Sequence, residues 1–191
     1  MAGNTEAVRI WTGAEVYAAP TGTAAPTNTS SPLNAAFEPL GLIDQDDAIG
    51  EEFSSDDTDH YSYGSVFVRK TSIRAKTQLT MTALENSDLV YQLANPGSDS
   101  EASGGVTTRT NRPKNLGLAI RALVLEKTDG DITSRLFIPR GQVTIAGSRS
   151  TSDNEMYGTP LVVDVLGATD DDGVFFSIEI TDDPAADPGA S

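Results

Sequence analysis

Thr71-Ser72-Ile73-Arg74-Ala75-Lys76-Thr77-Gln78-Leu79-Thr80-Met81-Thr82-Ala83 reads as one β-strand. Ile73, Ala75, Leu79, Met81 and Ala83 fall on one face, and Ser72, Arg74, Lys76, Gln78, Thr80 and Thr82 on the other. Period two with a single apolar face means core on one side and a polar surface on the other. At about twelve residues or more, the run exceeds the usual strand of about five or six. A small compact sandwich seldom needs a strand that long. The residues leading into it, Tyr63 to Lys70, are rich in Val, Phe and Tyr and extend the β signal.

Glu85 to Asn95 follows as the one convincing helix. Asn86 or Ser87 can cap it, Asp88 suits its first turn, and Leu89, Val90 and Leu93 supply the apolar stripe. Asn95-Pro96-Gly97 stops it. Ser98 to Pro113 is rich in Ser, Gly and Thr and is expected to be a flexible loop. Gly117 to Glu126 and Ile132 to Ile138 flank an Asp-Gly turn, a hairpin signal. Pro139 is expected to interrupt, and Gly141 to Arg149 to resume as another strand. Tyr157 to Leu166 and Val174 to Ile180 are expected to pair as a last hairpin around Asp170 to Gly173.

Upstream of the long strand, Asp44 to Asp59 carries eight acids and no base, with little to bury. It is expected to be an exposed loop or long hairpin. Pro20 to Pro32 is Pro/Thr/Ser-rich and reads as a loop or mobile arm. Ala7 to Trp11 and Glu15 to Ala18 read as a small hairpin around Thr12-Gly13-Ala14. The whole is all-β with a single flanking α-helix. It forms one domain over 1–181, with loops at 20–36, 44–60 and 98–115, and a flexible acidic tail at 182–191.

The chain has 191 residues, no Cys and one His, so disulfides, thiolate sites and multi-His metal sites are excluded. Asp+Glu outnumber Lys+Arg by 28 to 13, and the net charge of −15 disfavours grip on nucleic acid or an anionic membrane. The first residues carry no secretory signal pattern, and an intracellular or released protein is expected. The Asn28-Thr29-Ser30 sequon is read as chance. His60, beside Asp57 and Asp59, lacks the Ser turn and oxyanion hole of a triad. Paired carboxylates abound, but 6% aromatics leave little to stack a sugar. No phosphate-cradling glycine loop is present. No enzyme activity and no cofactor are expected. Asp44 to Asp47 and Asp170 to Gly173 could gather oxygens for calcium, yet neither has the EF-hand spacing. A calcium-dependent acidic β-sandwich binding a ligand or cell surface, such as a virion decoration, is the alternative reading.

The order of several short motifs is informative. Leu40-Gly41-Leu42-Ile43-Asp44 runs into the acidic stretch and Ile49-Gly50. The long strand is followed by Leu84-Glu85-Asn86, Leu89-Val90 and Leu93. Leu136 to Gly141 then precedes Tyr157 to Leu166. This arrangement resembles the major tail (tail tube) proteins of long-tailed, non-contractile bacteriophages over most of the chain. Asp47-Ala48-Ile49 departs from it, since the family often has glycine at the middle position.

The resemblance implies a β-sandwich or half-barrel subunit contributing strands to an inter-subunit β-barrel. It implies hexameric rings, stacked into a virion tube that conducts DNA to the host and assembled in the host cytoplasm. Implied partners are the chain itself and the tape measure, tail terminator and distal tail proteins. DNA would pass through the lumen without specific binding, and no membrane is involved. The candidate stacking loop comprises Asp44, Asp46, Asp47, Glu51, Glu52, Asp56, Asp57 and Asp59. The candidate polar face of the inter-subunit strand comprises Arg74, Lys76, Gln78 and Thr80. Six copies at −15 give about −90 per ring, a field that repels passing phosphates. Because Arg74 and Lys76 are basic, the acid excess is expected at ring junctions or outside if that face lines the lumen. Both long loops, 20–36 and 98–115, are expected to order on neighbouring rings.

Overall fold

The computed structural model describes residues 8–111, 119–149, 151, 153 and 156–182, with positions 72–75 described by their backbone. Twelve strands and one helix follow in the order β1 (Gly13–Ala19), β2 (Glu38–Pro39), β3 (Gly50–Ser62), β4 (Val66–Ala83), α1 (Asp88–Ala94), β5 (Asp99–Ser103), β6 (Val106–Thr110), β7 (Ala119–Asp129), β8 (Ile132–Ile145), β9 (Thr159–Val165), β10 (Ala168–Asp170), β11 (Gly173–Phe175) and β12 (Ile178–Thr181). The main antiparallel sheet runs β2-β1-β7-β8-β9-β4-β3, with β12 added to β8. The expected all-β fold with one helix is what the chain adopts.

The period-two reading of β4 holds where it meets the sheet. Leu79, Met81 and Ala83 are buried and join Val16, Leu123, Leu125, Ile138, Leu161 and Val163 in one core. Val90 and Leu93 of α1 pack into the same core. The expected Ser87 cap is in place, its hydroxyl accepting the Val90 N–H at 3.2 Å. A smaller cluster covers the opposite face, where Phe37 meets Phe137 edge-on beside Ala122 and Val124.

Several expectations are corrected. Val8 to Thr12 form no strand, and Ala7 lies outside the described residues; β1 pairs instead with β7, Gly13 opposite Thr128 and Ala19 opposite Ala122. Local turn signals around Gly13 could not reveal a partner that lies more than a hundred residues away. Pro139 does not end its strand. Arg121 faces Gly141 and Leu123 faces Ile138, so Pro139 and Arg140 share the place opposite Ala122. That is a β-bulge, where a residue without an N–H costs no ladder bond. The final strands do not pair with each other. β9 sits between β8 and β4, β12 pairs with β8, and β10–β11 is a separate small hairpin.

The described residues of the 20–36 and 98–115 loops make contacts with their own subunit. Residues 20–36 lie against the second face of the sheet, with Leu33 and Ala25 packed on its apolar cluster. Arg135, almost fully buried, donates to the Asn28 and Ser31 carbonyls at 2.9 and 2.7 Å and to Glu126 at 2.6 Å. Asn28, the sequon residue, is used internally: its side-chain oxygen accepts the Ser31 N–H. The second loop contains the β5–β6 hairpin. Arg109 fastens it to α1 through Asp88, Asn86 and the Tyr91 ring; residues 112–115 lie outside the described set. Asp182, expected to open the flexible tail, is anchored: it exchanges hydrogen bonds with Thr133 and accepts from the Thr29 hydroxyl.

Candidate functional site

β3 and β4 form a two-stranded arm. β4 pairs with β9 only from Gln78 to Ala83, whereas β3 follows β4 from Gly50 to Ser62. From Val66 to Thr77, β4 therefore has β3 on one edge and no described strand on the other. The far edge of β3 is likewise unpaired among the described residues. Every β3 residue after Gly50 is exposed. The register skips one residue at Val68 and another at Ile73, two bulges that bend and twist β4.

Charge divides by strand. β3 holds Glu51, Glu52, Asp56, Asp57 and Asp59 with no Lys or Arg; Val66 to Thr77 holds Arg69, Lys70, Arg74 and Lys76 with no acid. Asp56 stands opposite Arg74 and Asp59 opposite Lys70. Lys70 Nζ lies 2.6 Å from the Asp57 carboxylate, which raises the lysine's pKa. His60 faces Arg69, and its Nε2 meets the Thr71 hydroxyl at 2.8 Å.

The arm ends in a turn at Tyr63-Gly64-Ser65. Gly64 takes a φ of +94° and Ser65 one of +60°, left-handed conformations that glycine adopts at least cost. Around this turn Tyr61, Tyr63, Val66, Phe67 and Val68 are exposed, with Tyr61 and Phe67 edge-to-face at 5.7 Å. A hairpin with apolar groups on its surface and no sheet at its back is marginal alone.

The arm's root is built by Leu40 to Asp44. The Leu40 N–H donates to Val16 of β1, whereas Asp44 N–H donates to Thr82 of β4, and Ile43 bridges to Ala83. One short segment thus laces β1 to β4, near opposite ends of the curled sheet. Leu40 is fully buried, and Gly41 turns with a φ of +86° directly over Glu85. The Glu85 carboxylate accepts the Leu42 N–H at 3.0 Å. Beyond it, Lys127 of β7 reaches Glu51 at 3.7 Å and Glu179 at 3.4 Å and lies over the Trp11 ring. Trp11, Glu51 and Lys127 edge a cleft of about 690 Å³ between the start of β1 and residues 43–51.

A family model described as Phage tail tube protein matches residues 1–186. The chain belongs to the phage tail tube protein family. It is a structural protein of the bacteriophage virion tail, and membership implies self-assembly into a tube. No curated protein matches the chain.

In this tail tube protein the eight sequence-selected acids fall into two groups. Glu51, Glu52, Asp56, Asp57 and Asp59 lie along β3 of the arm. Asp44, Asp46 and Asp47 form the turn before it: Asp44 accepts the Asp46 N–H, and Asp47 accepts the Thr82 hydroxyl. On β4, Lys76 and Gln78 both engage Asp164 of β9, at 2.9 and 2.7 Å, and the Thr80 hydroxyl meets the Gly50 carbonyl. Arg74 stands between them and the tip. Sequence reasoning missed the apolar surface around Tyr63. Its signal was present as an apolar run without alternation, facing a polar strand. At the two calcium candidates the acids cap turns: Asp44 accepts the Asp46 N–H, and Asp170 likewise accepts the Asp172 and Gly173 N–H groups. Among the described residues, no group of three acids or histidines is arranged to hold a metal.

Proposed function

We propose that the β3–β4 arm is the element by which this tail tube subunit joins others into hexameric rings. The rings stack into the conduit for DNA, assembled in the host cytoplasm with tape measure, terminator and distal tail proteins as further partners. The observation that carries the reading is the arm itself. It presents two unpaired strand edges and an apolar tip, a surface that a monomer leaves uncovered only at the risk of aggregation. Pairing each arm with the next closes a barrel and covers the free edges of the arm. The acids of residues 44–59 then lie at the junctions between copies, and DNA meets a tube of net negative charge that offers few cations to its phosphates.

Negative-stain electron microscopy of the purified protein across concentrations tests this. Hollow rings or tubes of uniform diameter, with six-fold class averages, are expected. A chain that stays monomeric even when co-produced with its tail-initiation proteins overturns the arm's assembly role. A different rotational symmetry overturns the hexamer alone.

A further inference from the structure

We infer that the segregation of charge between β3 and β4 makes the arm a polarity device. It directs the acidic edge of one copy onto the basic edge of the next and forbids like-edge pairing. The inference rests on the tube-subunit reading and specifies the partner surface within it.

An exposed hairpin edge can pair in three ways with a second copy. The pairs are β3 on β3, β4 on β4, and β3 on β4. The first two are two-fold symmetric and give closed dimers; the third is head-to-tail and propagates around a ring. Backbone hydrogen bonding alone does not choose among them. Side chains do, because residues opposite one another across a strand pair are neighbours, and like charges there are destabilising. A β3–β3 contact sets Glu52, Asp56, Asp57 and Asp59 against the same acids. A β4–β4 contact sets Arg69, Lys70 and Arg74 against the same bases. Only β3 on β4 brings acid to base throughout.

The subunit displays that favoured chemistry internally. Within the hairpin Asp56 faces Arg74, Asp59 faces Lys70, and Lys70 pairs with Asp57. A neighbour's β4 on the free edge of β3 repeats the same antiparallel, acid-on-base arrangement. Each strand would then have an opposite-charge strand on both sides. Glu52, Asp56, Asp57, Asp59, Arg69 and Lys70 are exposed in the free subunit, so little desolvation opposes their use, and selection should weaken as salt screens them.

Reversing the polarity tests this without disturbing the hairpin's own pairing. The reversed chain carries Glu52→Lys, Asp56→Lys, Asp57→Lys and Asp59→Lys with Arg69→Glu, Lys70→Glu and Arg74→Glu. Glu51 and Lys76, which pair outside the arm, are left alone. Wild-type and reversed chains with different amino-terminal fluorophores are assembled separately and mixed as subunits, and energy transfer is read in the products. Each should assemble alone. Mixed assembly should fall about tenfold or more below random, and recover at high salt, because several cross-strand pairs become like-charged at every mixed contact. Random mixing at low salt overturns the inference while leaving the tube reading intact. Failure of the wild type to assemble even when co-produced with its tail-initiation proteins overturns both.

Should the reversed chain fail to fold, the narrower exchange Asp56→Lys with Arg74→Glu, which keeps that facing pair opposite in charge, is mixed with the wild type in the same way. Mixed assembly below random at low salt is expected, and random mixing overturns the inference.

Discussion

The Leu42 N–H donates to the Glu85 carboxylate at 3.0 Å, and this bond ties the segment that laces β1 to β4 onto the lead-in of α1. Gly41 makes it possible. A Cβ at that position would sit 2.3 Å from Glu85 Cδ. Two motifs that stand forty residues apart in sequence are therefore one structural joint.

Breaking that joint should cost stability in a graded way. Gly41→Ala adds a left-handed strain of about 1–2 kcal/mol and displaces Glu85 as well, for a total of about 2–3 kcal/mol. Glu85→Gln keeps an acceptor but loses the charge, and about 1 kcal/mol or less is expected. Urea denaturation of both variants measures the difference. Equal, negligible losses would mean the lacing segment is held by Leu40 and Ile43 alone.

Arg135 is the residue on which the 20–36 segment depends. Arg135→Met leaves Glu126 half-buried without its partner and two carbonyls without a donor. A destabilisation of about 2–4 kcal/mol is expected, with new protease cleavage confined to residues 20–36. Adding Glu126→Leu should recover part of the loss, since the stranded charge is removed. Unaltered protease resistance would show that Leu33 and Phe37 hold the segment by packing alone.

What was legible in the sequence was what is locally encoded. The alternation ending at Ala83 is a property of consecutive residues, and Leu79, Met81 and Ala83 are buried as it requires. Ser87 caps its helix through a neighbour three residues on. The exposure of β3 followed from its lack of anything to bury. What stayed hidden depends on distant partners. The composition of residues 20–36 reads as a free arm because its anchor, Arg135, lies on β8. β1 reads as half of a hairpin because its true partner is β7. Within the candidate site, the acids were legible as a class. Their division from the bases by strand needed the register.

Tyr17 provides a pH-dependent signal. Its hydroxyl donates to the Glu15 carboxylate, and that bond, aided by burial and by the charges of Glu15 and Glu126, raises its pKa to about 12. A pKa raised above the ordinary 10.0 means that the folded state favours the protonated phenol. The resulting stability is fully present below pH about 10 and is lost as pH rises towards about 12. Ultraviolet titration of the wild type against Tyr17→Phe isolates this group among the five tyrosines. Glu15→Gln should bring it down towards 10. A Tyr17 that titrates with the exposed tyrosines in the wild type would refute the bond's role.

The exposed tip of the arm separates folding from assembly. Tyr63 and Val68 are exposed and lie outside both core clusters, while the Tyr61–Phe67 contact braces the turn. Tyr63→Ser with Val68→Ser leaves that contact in place. The monomer's stability should change by about 0.5 kcal/mol or less, as for other surface sites. Tube yield by sedimentation and electron microscopy should fall sharply, because the substitutions remove apolar area that only a second copy can cover, at about 25 cal/mol per Å². Undiminished tubes would take the tip out of the contact and leave the strand edges as the whole of it. A large loss of monomer stability would instead make the tip part of the subunit's own fold.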